Sequence, residues 1–447
     1  MLAAERLVVA HPGAEGALGP FDLTLAPGEW LALAGGNGSG KTALLLTLAG
    51  LVPPRSGRVT LDGLDLADPA QAARARAAIG IVFQEPETQF VTDRVARELA
   101  FPLENLGWER SAIDQRVREL LAAFDLVDLA AAPPERLSGG EMQRVALAAA
   151  AAPRPRIYLF DEPASYLDPA ARANLLAWTR ARCQGEGAAV LWSECDAEEC
   201  GFANRVVALG PALAAADSGP AWAPGPGAHG RALWRGRGLS LARRRPGRSG
   251  PERVLWGGLD LDIHLGERVA LVGANGSGKT ALLETLAGWL EPSAGELARP
   301  PREDVAYLLQ FPEYQLFAPT VLGDVRFGIE RRGGAKRASA ELDALARAAI
   351  SRVGLDPDRY GGVSPEALSL GERRRLALAG VLVTKPLALL LDEPTAGLDA
   401  AGARDLLSAL GEAAERGAAI VVATHDPRVA VRLGARTIDL GSAVDRP

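Results

Sequence analysis

Short apolar runs alternate with amphipathic stretches along this chain, and the whole pattern occurs twice. Trp30–Ala34 and Arg268–Val272 are largely apolar and each leads into a glycine-rich stretch, after which Ala43–Ala49 and Ala281–Ala287 read as helix. That order predicts a strand, a tight loop and a helix in each half. Ile157–Phe160 and Leu387–Leu391 are unbroken apolar runs, the pattern of central parallel strands buried on both faces. Ser111–Leu129 and Ala338–Val353 have helical periodicity and predict an α-helical subdomain in the middle of each half. The longest apolar runs, Val145–Ala152 and Leu376–Val383, follow charged residues and fall far short of the ~18 residues a membrane span needs. They read as buried helix segments. Alternating strands and helices imply an α/β fold.

The halves repeat at a common offset, Ser138 matching Ser369 and Asp161 matching Asp392. A repeat of this length is a domain duplication, not a solenoid. The expected boundaries are a first domain over 1–217, a Pro/Gly-rich linker over 218–230 and a second domain over 231–447.

Composition adds exclusions. With 447 residues and 48% hydrophobic content, the chain can build two or three cores. A net charge of −6 leaves no electrostatic footprint for wrapping nucleic acid, and Arg243-Arg244-Arg245 with Arg248 read as a solvated loop. Three cysteines argue against a disulfide framework; Cys195 and Cys200 lack zinc-ligand spacing, and the four histidines are scattered. Met1–Arg6 has no signal-peptide layout. The expectation is a soluble, cytoplasmic chain that works at a membrane only through a partner.

The chemistry lies in three pairs of motifs. Gly35-Gly36-Asn37-Gly38-Ser39-Gly40-Lys41-Thr42 and Gly273-Ala274-Asn275-Gly276-Ser277-Gly278-Lys279-Thr280 both fit the phosphate-loop pattern. Glycines let backbone N–H groups turn toward phosphate oxygens, and the helix N-terminus favours anions. Lys41 and Lys279 suit the β- and γ-phosphates, while the Thr42 and Thr280 hydroxyls suit Mg²⁺. Asp161-Glu162 and Asp392-Glu393 end apolar strands, where a carboxylate lies beside the phosphate loop of an open sheet. Asp161 and Asp392 are expected to act through Mg²⁺; Glu162 and Glu393 are expected to orient or deprotonate the attacking water. Between these motifs stand Leu137-Ser138-Gly139-Gly140-Glu141 and Leu368-Ser369-Leu370-Gly371-Glu372, serine turns that open a helix and can face an anion.

Together these motifs resemble a tandem ABC ATPase, with Walker A, Q-loop, signature, Walker B and D-loop in both halves and the likeness spanning nearly all of the chain. The resemblance implies two ABC-type nucleotide-binding cassettes, each with a RecA-like core, an antiparallel β region and an α-helical subdomain. It further implies ATP and Mg²⁺ as ligands, and a head-to-tail pair in which each ATP lies between one cassette's phosphate loop and the other's signature. Site one then uses Lys41, Thr42, Gln84, Asp161 and Glu162, closed by Ser369, Leu370 and Gly371. Site two uses Lys279, Thr280, Gln310, Asp392 and Glu393, closed by Ser138, Gly139, Gly140 and Glu141. The metal positions implied are Thr42, Gln84 and Asp161 in one, Thr280, Gln310 and Asp392 in the other.

The halves differ at the switch histidine. Thr424-His425-Asp426 supplies it in the second half. The first half reads Trp192-Ser193-Glu194-Cys195-Asp196, which puts Cys195 there, or Glu194 after a shift by one. Leu370 also replaces a signature glycine, adding bulk where backbone approaches phosphate. Both departures fall in site one, so site two is expected to hydrolyse most of the ATP. His11 and Arg245 occupy the positions from which the family stacks adenine; either can stack on a base, and either can be a plain loop residue.

The Q-loops continue as Gln84-Glu85-Pro86-Glu87-Thr88-Gln89-Phe90 and Gln310-Phe311-Pro312-Glu313-Tyr314-Gln315-Leu316-Phe317. This segment resembles the ATPase subunits of energy-coupling-factor (ECF) transporters, which import vitamins and transition-metal ions. That resemblance implies a transmembrane coupling protein and a small membrane substrate-binding protein as partners, Phe90, Tyr314 and Phe317 as docking anchors, and a location on the cytoplasmic face of the membrane. Sugar-importer ATPases lack the Pro-Glu-x-Gln segment; tandem translation factors carry a charged helical linker that this chain does not. The two cassettes are expected to pair within one chain.

Overall fold

A computed structural model describes residues 1–10, 17–36, 38–194, 200–209, 231–243, 253–331 and 338–440. The proposed linker, His11, Asn37, Cys195 and Arg245 lie outside these residues. The chain divides into two compact units whose described parts are residues 1–209 and 231–440.

Each unit is built on a five-stranded parallel sheet. In the first its order is Ile79–Val82, Ile157–Asp161, Ala189–Glu194, Trp30–Ala34, Arg205–Ala208. In the second it is Val305–Leu308, Ala388–Asp392, Ala419–Ala423, Arg268–Val272, Arg436–Asp439. The phosphate-loop strand and the carboxylate-tipped strand flank the same neighbour in both. Every residue of Trp30–Ala34, Ile157–Asp161 and Ala388–Asp392 is buried, which is why these runs are continuous rather than alternating. Leu387, expected to begin its strand, lies one residue before it and is 41% exposed.

An antiparallel sheet leads into each unit. The first has the order Ala17–Leu25, Leu2–Ala10, Ser56–Leu61, Leu64–Asp65; the second has Arg253–His264, Ala232–Arg243, Ala294–Ala298. In the first unit Leu2, Leu7 and Val9 pack with Leu31, Leu33, Leu44 and Leu159, so both sheets share one core.

A group of helices completes each unit: Val95–Asn105, Arg110–Ala123 and Gly139–Ala151 in the first, Val321–Arg331, Ser339–Arg352 and Leu370–Leu382 in the second. Val325, Ile350 and Leu376 belong to one apolar cluster of the second unit. The helix expected over Ser111–Leu129 ends at Ala123, after which Asp125 takes a φ of 54° and the chain turns. Periodicity runs past the end because the turn Val127–Leu129 still buries Leu129. The counterpart expected over Ala338–Val353 is a helix over Ser339–Arg352. Among the described residues, no helix is long and apolar enough to cross a membrane.

Candidate nucleotide sites

The phosphate loops leave their strands at Gly35 and Gly273 and enter the helices Lys41–Leu48 and Lys279–Leu286. Gly40 and Gly278 each precede the helix with φ 93°, the left-handed region that a side chain strains. A Cβ on Gly35 would lie 2.4 Å from the Ser39 hydroxyl and 2.7 Å from the Leu209 carbonyl, so that position admits only glycine. The lysines fold back over the loops: Lys41 Nζ donates to the Gly35 carbonyl at 2.8 Å, and Lys279 Nζ to the Gly273 carbonyl at 2.7 Å. Among the described residues, the Ser39 and Ser277 hydroxyls are buried and find no hydrogen-bond partner. Orphaned hydroxyls inside a glycine-rich cradle are what a phosphate oxygen would satisfy.

Asp161 and Asp392 stand at the carboxyl ends of their strands, buried beside the loops. Thr280 Oγ1 donates to Asp392 Oδ2 at 2.6 Å. Burial pushes the Asp392 carboxyl up to about 7, against the pull of the Thr280 hydroxyl. Burial likewise raises Asp161 to about 6, with the neighbouring Glu162 adding to the rise and Ser193 and Thr42 opposing it. The donors gathered here are carboxylate and hydroxyl oxygens, with the amide residues Gln84 and Gln310 at the next strand's end, a set suited to a hard cation shared with phosphate.

Glu162 and Glu393 follow with φ 46° and 45°. A left-handed glutamate costs about 1 kcal/mol or more and is kept where the surroundings dictate it. Its N–H is held by the neighbouring strand, by the Ser193 carbonyl at 3.2 Å in one unit and the Ala423 carbonyl at 2.9 Å in the other. Beyond this the two units diverge. Glu393 Oε1 lies 3.0 Å from His425 Nδ1 and 4.0 Å from Lys279 Nζ. Glu162 Oε1 lies 3.3 Å from Lys41 Nζ, and its Oε2 accepts from Gln84 Nε2 at 3.2 Å and Ser165 Oγ at 3.5 Å. Strand register pairs Asp161 with Ser193 and Asp392 with Ala423. Counting onward, Cys195 falls at the place of His425 and Glu194 at that of Thr424.

Ser138 and Ser369 cap the signature helices in full capping boxes. Ser138 Oγ and N both donate to Glu141 Oε2 at 2.9 Å, so the Glu141 carboxylate serves the cap. Gly139 and Gly140 open the first helix and are buried; Leu370 and Gly371 do so in the second and are buried too.

Two contributions escaped the sequence reading. Gln89 accepts from the Phe83 N–H at 2.9 Å and donates to the Ile81 carbonyl at 3.0 Å. Gln315 accepts from the Leu309 N–H at 3.2 Å and donates to the Tyr307 carbonyl at 2.9 Å. Each glutamine buckles the chain just before the Q-loop residue, Gln84 or Gln310. Their recurrence five positions after the Q-loop glutamine, in both halves, was the available signal. Ser193 is the other, described below.

Two phosphate loops, each beside a buried carboxylate at a strand end, define a tandem P-loop ATPase. Comparison with known proteins narrows the class. The family model described as "ABC transporter" matches residues 18–165 and 257–396. An ABC transporter ATP-binding protein of Streptomyces coelicolor is 33% identical over an alignment that covers 98% of this chain and 92% of that protein. One of Bifidobacterium longum is 32% identical over 95% of this chain, which spans only 63% of the relative's length. The energy-coupling factor transporter ATP-binding protein EcfA1 of Lactiplantibacillus plantarum is 42% identical over 42% of this chain and 67% of its own length. Among solved structures, a chain from ribosome-bound archaeal Pelota and ABCE1 matches with TM-score 0.66 and 21% identity, over 97% of this chain and 76% of that one. At that identity the likeness speaks for the fold alone. The chain belongs to the ABC transporter ATP-binding family, with two cassettes in tandem. It is an ATP hydrolase of that class.

Proposed function

We propose that this chain is the ATP-hydrolysing component of an ECF-type importer for a vitamin or a transition-metal ion. The observation that carries the reading is the 42% identity to an ECF ATP-binding protein, well above that of the full-length relatives, though over part of the chain. The Pro-Glu-Tyr-Gln segment after Gln310 is consistent with it. The partners are a transmembrane coupling protein and a small membrane substrate-binding protein, with the chain on the cytoplasmic face of the membrane. Tyr314 and Phe317 are 66% and 63% exposed, and Phe317 meets Phe327 edge-on at 4.6 Å. Exposed aromatics of this kind are suited to anchoring a partner. Phe90 is only part-exposed, so the anchoring role falls to the second cassette.

Within this reading ATP binds at two head-to-tail sites. Thr42, Gln84 and Asp161 would hold Mg²⁺ in one, and Thr280, Gln310 and Asp392 in the other. The ion would neutralise charge on the β- and γ-phosphates. Lys41 and Lys279 leave the loop carbonyls for phosphate oxygens. In site two Glu393 takes the proton of the attacking water while His425, 3.0 Å from it, holds the water and γ-phosphate in place. Site one has no histidine at that position and turns over more slowly. ATP closes the cassettes on each other, and hydrolysis resets them.

Affinity capture of the tagged chain from detergent-solubilised native membranes tests the proposal. Co-recovery of a multi-span coupling protein with a small membrane substrate-binding protein is expected. Recovery of channel-forming permeases with a soluble solute-binding protein, or of ribosomes, overturns the ECF reading and leaves the ATPase standing.

A further inference from the structure

Ser193 is the fully buried residue opposite Asp161 in the first unit's parallel sheet. Its hydroxyl makes two bonds at once. It donates to Asp161 Oδ1, and it accepts from the Glu162 N–H at 3.1 Å. One proton and one lone pair therefore bind the two consecutive carboxylate residues to a single side chain. The second unit has Ala423 at this register position, and alanine can do neither. There the Glu393 N–H goes to the Ala423 carbonyl, as the Glu162 N–H also does to the Ser193 carbonyl, and the glutamate's carboxylate is held from beyond the strand, accepting from the His425 N–H at 3.4 Å and lying 3.0 Å from His425 Nδ1. A second hydroxyl follows the same division: Ser165 reaches Glu162 in the first unit, whereas the matching residue of the second is Ala396. The unit without a histidine at the switch position thus carries two hydroxyls around its carboxylate pair, and the unit with the histidine carries alanines.

We propose that Ser193 is a positioning residue of the first nucleotide site, fixing the Asp161 carboxylate and the Glu162 backbone so that a Mg²⁺–ATP complex is retained there without a switch histidine. The proposal rests on the reading of Asp161 as the metal-side carboxylate. The physical case is that of an outer partner which orients a ligand: an unheld carboxylate must lose rotational freedom when the ion arrives, and one already pinned need not. Ser193 does not touch nucleotide; it acts through Asp161 and Glu162.

The test uses the full chain with Lys279→Ala, which weakens nucleotide binding at the second site. A fluorescent ATP analogue is titrated in excess Mg²⁺ and again in EDTA. Ser193→Ala is expected to reduce the Mg²⁺-dependent gain in affinity by about tenfold, with the EDTA affinity unchanged. Ser193→Thr, which keeps the hydroxyl, is expected to restore the gain. A Mg²⁺-dependent gain within twofold of the parent in Ser193→Ala overturns the proposal. So does an equal loss with and without the metal, which marks a merely structural role. Asp161→Asn separates the two ideas: if it keeps the full gain, the reading of Asp161 fails, and Ser193 falls with it. Thermal melts of the apo variants control for folding, and Ala423 shows that the matching strand of the second unit carries alanine at this register position.

Discussion

Before nucleotide binds, the buried carboxyls of Asp161 and Asp392 are pushed up to about 6 and about 7 from an ordinary 3.8. A folded-state value raised this way means the fold holds the proton more tightly than the unfolded chain does. The stability it contributes is fully present below about pH 3.8 and is lost as pH rises through about 7 for Asp392. Asp392→Asn cannot ionise, so the apo variant should be more stable than the parent at pH 8, by about 2 kcal/mol. The gap should close by pH 4, as thermal melts at the two values will show. The glutamates separate the sites by turnover instead. Glu393→Gln is expected to cut ATP hydrolysis about 10²-fold or more, and Glu162→Gln to leave more than half of it. A Glu393→Gln protein that keeps most of its turnover, beside a Glu162→Gln protein that loses it, would reverse the assignment.

At the scale of elements, the short turn after each Q-loop glutamine is fastened at both ends. Gln315 ties its start to the strand Val305–Leu308, and Asp324, buried at the head of helix Val321–Arg331, accepts from the Phe317 and Ala318 N–H groups at 2.9 and 3.0 Å. Gln310 and the exposed Phe317 therefore sit on one stiff segment. Gln315→Leu strips two backbone groups of their partners at a cost of about 1–3 kcal/mol. Turnover is expected to fall several-fold while ATP affinity changes less than twofold, since the Gln315 side chain bonds backbone at Leu309 and Tyr307 rather than the phosphate loop. A parallel loss of affinity would mean that the segment supports the loop itself. The signature helices are fastened by their capping boxes; Ser138→Ala is expected to cost about 1 kcal/mol in denaturant unfolding.

For the whole molecule, duplication within one chain raises the effective concentration of each cassette for the other. With Glu393→Gln, ATP and Mg²⁺, sedimentation is expected to give the mass of one chain, 46.7 kDa; a two-chain mass would mean that the working pair forms between molecules. The two cassettes share a strand order but not a chemistry. The first lines its sheet with Tyr158, Phe160 and Trp192, whose rings contact one another, while the second uses aliphatic residues such as Leu389, Leu391 and Val422. Equivalent backbones thus carry differently packed cores.

Duplication, the phosphate loops, the carboxylate-tipped strands and the missing histidine were all legible in the sequence. Each is a local signal: glycine spacing, an unbroken apolar run ending in Asp-Glu, or one residue out of place. A continuous apolar run also fixes burial on both faces, so the central strands could be placed to within a residue. Helix ends could not, because periodicity continues through a turn that still buries an apolar residue, as at Leu129. What the fold alone decided is which polar side chains serve the site. Ser193 is one serine at the end of an apolar run until the parallel register sets it beside Asp161. Gln315 reads as part of a recognition motif until its amide is seen to bond backbone of the preceding strand. Hydrogen bonds join groups distant in sequence, and no hydropathy pattern records them.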